Sequence, residues 1–229
     1  MMATRAASVV VFMLVSCQSL NLPVPVAIGA LNCGYTERSL ALVATRSAQR
    51  TTSDCSVAVI ANMLAAERLR THGLGTTRLS DPRQFPVPGS VWAESTTDGH
   101  SGVTLDQLAV LAIESAGRSG LRIDTVVRRM GSASQCGRFM RSAVAALETK
   151  PGSYLIANFD QGALFRESSV GHFAIIAAIC SDMVLVVDPD ADWYPPYWAS
   201  VESMCAAVQT VDPTTNLRRG FIVVDAAGQ

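Results

Sequence analysis

The sequence predicts a single domain of the α+β class, and three observations support this prediction. The chain has 229 residues, 49% of them hydrophobic, which is enough for one sizeable core. Apolar residues recur at helical spacing in the first half of the chain. In the second half, three apolar runs of β-type follow one another. Because helices come first and strands cluster late, α+β is favoured over a doubly wound sheet, in which the two alternate.

The first residues of the chain have the pattern of an export signal. Arg5 precedes an apolar run of about ten residues, which suits the core of a signal peptide and is too short to cross a bilayer. We predict a signal peptide over residues 1–17 and an exported protein, either periplasmic or a membrane-anchored lipoprotein. The anchored form is suggested by the sequence LVSC ending at Cys17, which is similar to the lipobox in which a cysteine becomes lipidated.

The next stretch, residues 18–45, contains two prolines and no clear periodicity, and is predicted to be a linker or N-terminal arm. The folded domain is predicted over residues 46–229. Its first helix starts at Cys55 and ends before Gly73, with basic residues in its last turn as the helix dipole favours. A long loop rich in Gly, Pro, Ser and Thr follows over residues 74–103.

The rest of the domain contains further helices and the strands of a sheet. Thr104 is the predicted N-cap of a second helix. Three of the predicted strands lie in succession between residues 153 and 188, which favours an antiparallel sheet. Strands are predicted for residues 121–128, 153–159, 171–179, 183–188 and 219–225, and helices for residues 135–150 and 197–210.

Charge and cysteine spacing exclude several classes of function. The formal net charge is −1, and no run of basic residues appears, so nucleic acid is excluded as a partner. No CxxC pair occurs, which argues against a zinc site, and we predict no bound metal cofactor. If Cys17 belongs to the signal and one cysteine is catalytic, four remain for up to two disulfides in an oxidising compartment, with the pairing open. The six cysteines are Cys17, Cys33, Cys55, Cys136, Cys180 and Cys205.

Three distant residues have the order of a cysteine-histidine-aspartate site. Cys55 is predicted at a helix N-terminus, whose partial positive charge favours a thiolate. His172 begins one predicted strand and Asp188 ends the next, so a hairpin would bring the imidazole beside the carboxylate. Such a pair takes the thiol proton and stabilises the imidazolium that forms. Gln49, together with the backbone amide of Cys55, is the candidate oxyanion donor.

Further residues near this motif have the right chemistry for the same roles. Asp190 and Asp192 could each replace Asp188, which we prefer because of its distance from Tyr194. His72 and His100 are predicted to be surface residues. The aromatic residues near the end of the motif could line a pocket, but such a cluster after a strand favours packing; they are Trp193, Tyr194, Tyr197 and Trp198.

The segment SVGHFAIIAAICSDMVLVVDPDADWYPPYW, residues 168–198, resembles the phytochelatin synthase family of papain-like cysteine enzymes. The matching features are Gly171-His172-Phe173, Asp188 and Tyr194-Pro195-Pro196, with Arg219-Gly220-Phe221 further downstream. The family usually has an aromatic residue before the cysteine and a glycine after it, whereas this chain has Asp54 and Ser56. A carboxylate beside the thiol opposes thiolate formation if it points inward.

The resemblance implies a papain-like fold and an activity. Glutathione is the implied substrate, cleaved at its Cys-Gly amide to a γ-glutamylcysteinyl thioester that water or a second glutathione resolves. The implied catalytic residues are Cys55, His172, Asp188 and Gln49. Substrate contacts are assigned to Arg219, Arg166, Gly171 and Tyr194.

The remaining expectations concern metals, partners and rival functions. Cadmium or zinc ions are expected as activators or as part of glutathione-thiolate substrates, with a role in metal detoxification or glutathione turnover.

Lipidated Cys17 would anchor the protein to a membrane, and a homodimer is considered. Short bacterial members tend toward hydrolysis, which we therefore expect. The rivals are an exported peptidase or amidase acting on another substrate and a non-catalytic, thiol-rich, metal-binding lipoprotein.

Overall fold

A computed structural model describes residue 33 and residues 36–46, 48–49, 54–72, 102–166 and 168–226. Within these residues, a six-stranded sheet has helices packed on both faces, and every pair of neighbouring strands is antiparallel. The predicted α+β class is therefore confirmed. The helices are α1 Glu37–Ala44, α2 Cys55–His72, α3 Leu105–Arg118, α4 Ala133–Thr149, α5 Gln161–Phe165 and α6 Val201–Val208. The strands are β1 Ile123–Arg129, β2 Ser153–Asp160, β3 Gly171–Cys180, β4 Met183–Val187, β5 Tyr197–Ser200, β6 Val211–Asp212, β7 Leu217–Arg218 and β8 Gly220–Ala226.

The sheet separates two hydrophobic cores. Its strand order is β1-β8-β2-β3-β4-β5, and β6 pairs with β7 in a separate hairpin. Because successive side chains of a strand point to opposite faces, Tyr154 and Ile156 of β2 join α1, α2 and α3 in one core. Leu155 and Ala157 join α4, α5 and α6 in the other. Both faces of the central strands are thus buried, which explains their continuous apolar sequences.

Two predictions about local structure are wrong. Within the predicted arm, residues 18–45, residues 37–44 form helix α1, which Thr36 caps. Its buried side includes Arg38, so no apolar stripe marks the helix in the sequence. The predicted helix over residues 197–210 begins only at Val201.

The stretch Tyr197–Ser200 forms strand β5 because it pairs with β4 at the edge of the sheet. Tyrosine and tryptophan suit a half-buried sheet surface, and this pairing is a tertiary contact that helical spacing does not reveal. The side chain of Ser200 then accepts a hydrogen bond from the Ser203 amide and starts the shorter helix α6.

Two disulfides link parts of the chain that are distant in sequence. Cys33 is bonded to Cys180 at the end of β3, and Cys136 of α4 is bonded to Cys205 of α6. Among the described residues, Cys55 is the free cysteine. The four cysteines expected to be available for disulfides are therefore paired, and the pairing left open by the sequence is resolved.

Several predictions fall outside the described residues. These are the signal peptide at residues 1–17 with Cys17, most of the predicted arm, nearly all of the predicted loop over residues 74–103, and His100. The domain boundary at residue 46 stays a prediction. Across the part of the chain that the structure describes, no helix combines the length and apolar character needed to cross a bilayer.

Candidate active site

The thiol of Cys55 lies at the first position of helix α2, as the sequence predicts. The residue is 7% exposed, and its neighbours Asp54 and Ser56 are buried as well. The Ala58 amide donates to the Asp54 carbonyl and so opens the helical hydrogen-bond ladder. Because the first amides of a helix lack intrahelical acceptors, this end of α2 favours an anion such as a thiolate.

His172 and Asp188 meet at the open end of the β3–β4 hairpin. Ile175 pairs with Val187, so extending the register by one residue places Asp188 opposite Ala174. His172 is two residues further along β3 on the same face, a diagonal separation that a long side chain can span. Nε2 of His172 lies 2.7 Å from Oδ1 of Asp188, and both side chains are buried.

The imidazole of His172 also forms a side-chain hydrogen bond with Cys55. Because Asp188 occupies Nε2, Nδ1 is the ring nitrogen left for the sulfur. Burial is the largest influence on His172 and lowers its pKa. The charge of Asp188 and the hydrogen bonds to Asp188 and Cys55 outweigh burial and raise the pKa from 6.5 to about 10. An imidazolium at this position is therefore stable at neutral pH.

Further groups hold Asp188 in place. The Tyr197 hydroxyl donates to Oδ2 at 3.2 Å, and the Asp190 amide donates to Oδ1 at 2.8 Å. Nε of Arg46 donates to the backbone carbonyl of Asp188 at 2.8 Å. The carboxylate that contacts His172 is thus that of Asp188, the residue preferred over Asp190. Burial and the neighbouring Asp188 carboxylate raise the pKa of Asp190.

The third candidate carboxylate, that of Asp192, is exposed on the loop after β4, whereas the imidazole of His172 is buried. The side chain of His72 is not among those described, and neither is any part of His100. The predicted surface positions of these two histidines therefore stay predictions.

Gln49 lies against the loop that follows Asp188. Its backbone amide donates to the Pro189 carbonyl at 2.7 Å, and Nη2 of Arg46 donates to the Tyr194 carbonyl at 2.6 Å. These bonds attach the segment before α2 to the loop that carries the carboxylate. Within the described residues, Oε1 of Gln49 is buried without a hydrogen-bond partner.

Arg219 lies beside Gly171, the residue before His172. A Cβ atom added to Gly171 would lie 2.5 Å from Nη1 of Arg219, so only glycine leaves room for the guanidinium there. Arg219 is 5% exposed, its Nε donates to Thr210 Oγ1 at 3.1 Å, and its Nη2 lies 3.9 Å from Oδ2 of Asp160. The structure therefore brings two of the four predicted substrate contacts, Gly171 and Arg219, together at the start of β3.

The other two predicted substrate contacts have different surroundings. Arg166 is exposed and ends the short helix α5 in a left-handed conformation, with φ 61°. The ring of Tyr194 stacks on Phe165 with centroids 4.6 Å apart, and the Phe165 ring also meets Tyr197 edge-on. Tyr194 thus belongs to an aromatic cluster below the loop after Asp188.

Sequence reasoning missed three residues that support this site. Tyr197 is assigned to packing from the sequence, and its place beside Asp188 depends on the pairing of β5 with β4. Arg46 gives no local signal, because its contact with Asp188 spans 142 positions. Asn158 of β2 donates from Nδ2 to the His172 carbonyl at 3.1 Å and looks in the sequence like any polar residue within a strand.

The arrangement suits nucleophilic chemistry at sulfur. A thiol at a helix N-terminus, an imidazole beside it and a buried carboxylate behind the imidazole are the three components that such chemistry needs. Across the described part of the chain, no cluster of three or more His, Cys, Asp or Glu side chains is arranged to hold a metal ion.

Comparison with known proteins gives a family match over most of the chain. Residues 26–221 match the sequence model of the family described as Phytochelatin synthase. Glutathione gamma-glutamylcysteinyltransferase 1 of Arabidopsis thaliana is 28% identical over 86 residues, which cover 37% of this chain and 18% of that protein. The enzyme of the same name from Triticum aestivum is 33% identical over 73 residues, covering 31% of this chain and 14% of that protein. The chain thus matches less than a fifth of the length of these relatives.

Solved structures give weaker similarities. The peptidase domain of Streptococcus ComA, a bi-functional ABC transporter involved in a quorum sensing pathway, is 14% identical with a TM-score of 0.47, covering 80% of this chain and 97% of that chain. A putative C39-like peptidase from Bacillus anthracis is 12% identical with a TM-score of 0.43, covering 80% and 94%. Neither similarity is close enough to bear on function.

Proposed function

Because the chain belongs to the phytochelatin synthase family, we propose that it is a cysteine-dependent acyltransferase that cleaves the Cys-Gly amide of glutathione. The observation that carries this proposal is the contact of one imidazole with both the free thiol of Cys55 and the buried carboxylate of Asp188. The curated relatives named glutathione gamma-glutamylcysteinyltransferases support the substrate.

In the proposed reaction, the Cys55 thiolate attacks the carbonyl carbon of the Cys-Gly amide. The imidazole of His172, whose pKa is raised, accepts the proton of the Cys55 thiol for this attack. His172 gives its proton to the amide nitrogen as the C–N bond breaks, and glycine leaves. A γ-glutamylcysteinyl thioester remains on Cys55. Water or the amine of a second glutathione then attacks this thioester, giving its proton to His172, and the thiolate is released.

Asp188 and Gln49 have supporting roles in this proposal. Asp188 fixes the imidazole orientation through Nε2 and offsets the charge of the imidazolium. The side-chain amide of Gln49, with the backbone amide of Cys55, donates to the oxyanion of the tetrahedral intermediate. The attachment of Gln49 to the Pro189 carbonyl supports this role, since it ties the donor to the loop that carries the carboxylate.

The carboxylates of glutathione are proposed to bind the arginines. Arg219 is buried next to Gly171, and a guanidinium that is held in place binds a carboxylate with defined geometry. Arg166 is proposed as a second, exposed contact, and Tyr194 as part of the wall of the cleft. Cadmium or zinc ions are proposed to act through the thiol of glutathione, as activators or as thiolate substrates.

The two disulfides support the proposed export of the protein. Disulfides persist in oxidising compartments such as the periplasm and are rare in the cytosol. We therefore propose a periplasmic protein or one anchored to a membrane through lipidated Cys17. A homodimer is a separate proposal. Acyl-chain labelling of Cys17 and sedimentation of the purified protein test these two points.

Release of glycine from reduced glutathione tests the proposed activity. Purified protein is incubated with glutathione, with and without cadmium, and free glycine and γ-glutamylcysteine are quantified by mass spectrometry. We expect glycine and γ-glutamylcysteine in equal amounts where water resolves the thioester, and an excess of glycine where a second glutathione does. In Cys55→Ala we expect the release of glycine to fall at least about a thousandfold. Absence of glycine from the wild-type protein, with cleavage of a peptide library instead, would assign the site to another amide substrate.

A further inference from the structure

The second carboxylate oxygen of Asp188 has its own donor. His172 and the Asp190 amide contact Oδ1, whereas the Tyr197 hydroxyl lies 3.2 Å from Oδ2. Tyr197 and Asp188 are 1% and 0% exposed, so water does not reach this hydrogen bond. A buried carboxylate has to find protein donors for both oxygens, and the phenol supplies the donor on the side away from the imidazole.

The fold holds this hydroxyl rigidly. Tyr197 is the first residue of β5 and pairs with Val186, two residues before Asp188 on β4. Its ring is packed edge-on against Phe165, with centroids 5.4 Å apart. The hydroxyl therefore lies on the same sheet surface as the carboxylate and has little freedom to turn away from it. Burial, followed by the charge of Asp188, raises the pKa of Tyr197 far above 10, so the phenol stays a donor.

We propose that Tyr197 is a positioning residue of the active site, whose hydroxyl fixes the Asp188 carboxylate and thereby sets the pH range in which Cys55 and His172 exist as a thiolate-imidazolium pair. The expected effect on glycine release rests on the proposed function. The expected effect on the reactivity of the Cys55 thiol does not. Without the phenol donor, the Asp188 carboxylate accepts one hydrogen bond fewer, and its negative charge is less well stabilised. The carboxylate then holds the His172 proton more strongly and opposes the thiolate more strongly, so both limits of the range move to higher pH.

Other charged groups surround Asp188 and are left unchanged by this test. Arg46 approaches from the segment before α2, and Asp190 and Asp192 belong to the loop after β4. His172 faces the carboxylate from β3, Cys55 of α2 contacts the imidazole, and Tyr194 lies near the phenol of Tyr197. Removing a neutral hydroxyl alters none of these charges, so a displaced pH range reports the hydrogen bond itself.

The chain contains a matched control for this hydroxyl. Tyr154 is 2% exposed, and its hydroxyl donates to Oε2 of the buried Glu67 at 2.8 Å. Glu67 lies twelve residues after Cys55 on α2, which places it about 18 Å along the helix axis. Tyr154→Phe therefore removes the same kind of hydrogen bond at the opposite end of the helix.

The experiment measures the rate of Cys55 alkylation by iodoacetamide from pH 4 to pH 10, with Cys55 quantified at the peptide level. The variants are Tyr197→Phe, Tyr154→Phe, Asp188→Asn and Asp188→Asn with Tyr197→Phe. We expect Tyr197→Phe to move the acid limb of the profile, where Cys55 becomes reactive, upward by about half a pH unit or more, and Tyr154→Phe to leave this limb in place. Adding Tyr197→Phe to Asp188→Asn is expected to change nothing further. For glycine release, Tyr197→Phe is expected to lower kcat about tenfold, the loss of one hydrogen bond to a charged group, with KM within twofold.

An acid limb that does not move in Tyr197→Phe, or that moves equally in Tyr154→Phe, would overturn the proposal. If the acid limb moves in Tyr197→Phe while the wild-type protein releases no glycine from glutathione, the positioning role of Tyr197 is upheld and the proposed substrate is refuted. The two proposals therefore fail separately.

Discussion

The free energy of unfolding is expected to fall as the pH rises above 6.5, and replacing Asp188 by asparagine is expected to remove this fall. Asp188 raises the pKa of the buried His172 above 6.5, to about 10 with Cys55 also in place. A group whose pKa is higher in the folded protein stabilises the fold fully below its unfolded pKa, near 6.5. That stabilisation is lost as pH rises through the folded pKa. Each pH unit inside this window is worth about 1.4 kcal/mol.

The test is made in the Cys55→Ala background, so that no thiol lies beside the imidazole and only the interaction of His172 with Asp188 is varied. In Cys55→Ala, the main raising influence, the Asp188 carboxylate, remains. We expect the free energy of unfolding to fall by about 2–3 kcal/mol between pH 6.5 and pH 8.5. In Cys55→Ala with Asp188→Asn, burial alone acts on His172 and lowers its pKa, so no such fall is expected in this range.

Urea unfolding at a series of pH values, followed by tryptophan fluorescence, measures both proteins. Groups other than this pair titrate in both variants, so the difference between the two curves isolates the Asp188-His172 interaction. Parallel curves between pH 6.5 and pH 8.5 would refute the argument that Asp188 holds a proton on His172. A direct check is the NMR titration of the His172 ring, which should remain an imidazolium above pH 7 only while Asp188 is present.

Two further predictions concern the substrate contact and the disulfides. Gly171→Ala should displace the Arg219 guanidinium, because the new Cβ would lie 2.5 Å from Nη1, and should raise KM for glutathione about tenfold. Gly117→Ala, in the exposed last turn of α3 with open space around the new Cβ, is the control and should leave KM unchanged; equal KM values in both variants would contradict the role of Arg219. Under limiting reductant, the Cys33–Cys180 bond should open before the Cys136–Cys205 bond, because the first is half-buried and the second fully buried. Differential alkylation with mass spectrometry measures the order, and the reverse order would contradict this prediction.

The parts of the site that the sequence predicts are those with local physical causes. Cys55 starts a helix because a long apolar segment follows it. His172 and Asp188 meet because two adjacent strands form a hairpin, and a hairpin brings the start of one strand beside the end of the next. In both cases, periodicity and chain order contain the information.

The parts that escaped prediction depend on contacts between distant segments. Tyr197 lies in β5 only because that stretch pairs with β4, and Arg38 is buried only because Nη2 meets the Ala177 carbonyl across 139 positions. Arg46 reaches the loop after β4 in the same way. None of these contacts leaves a pattern in the neighbouring sequence. Local spacing therefore predicts an irregular arm around Arg38 and a helix at Tyr197, and it gives no sign of the contacts of Arg46.

Mass spectrometry of the protein after brief incubation with reduced glutathione and an acid quench tests directly whether Cys55 forms the proposed thioester. We predict an adduct on Cys55 with the mass of a γ-glutamylcysteinyl acyl group, appearing together with free glycine and absent from His172→Ala. A Cys55 that stays unmodified, or that carries only the mass of intact glutathione in a mixed disulfide, would contradict it.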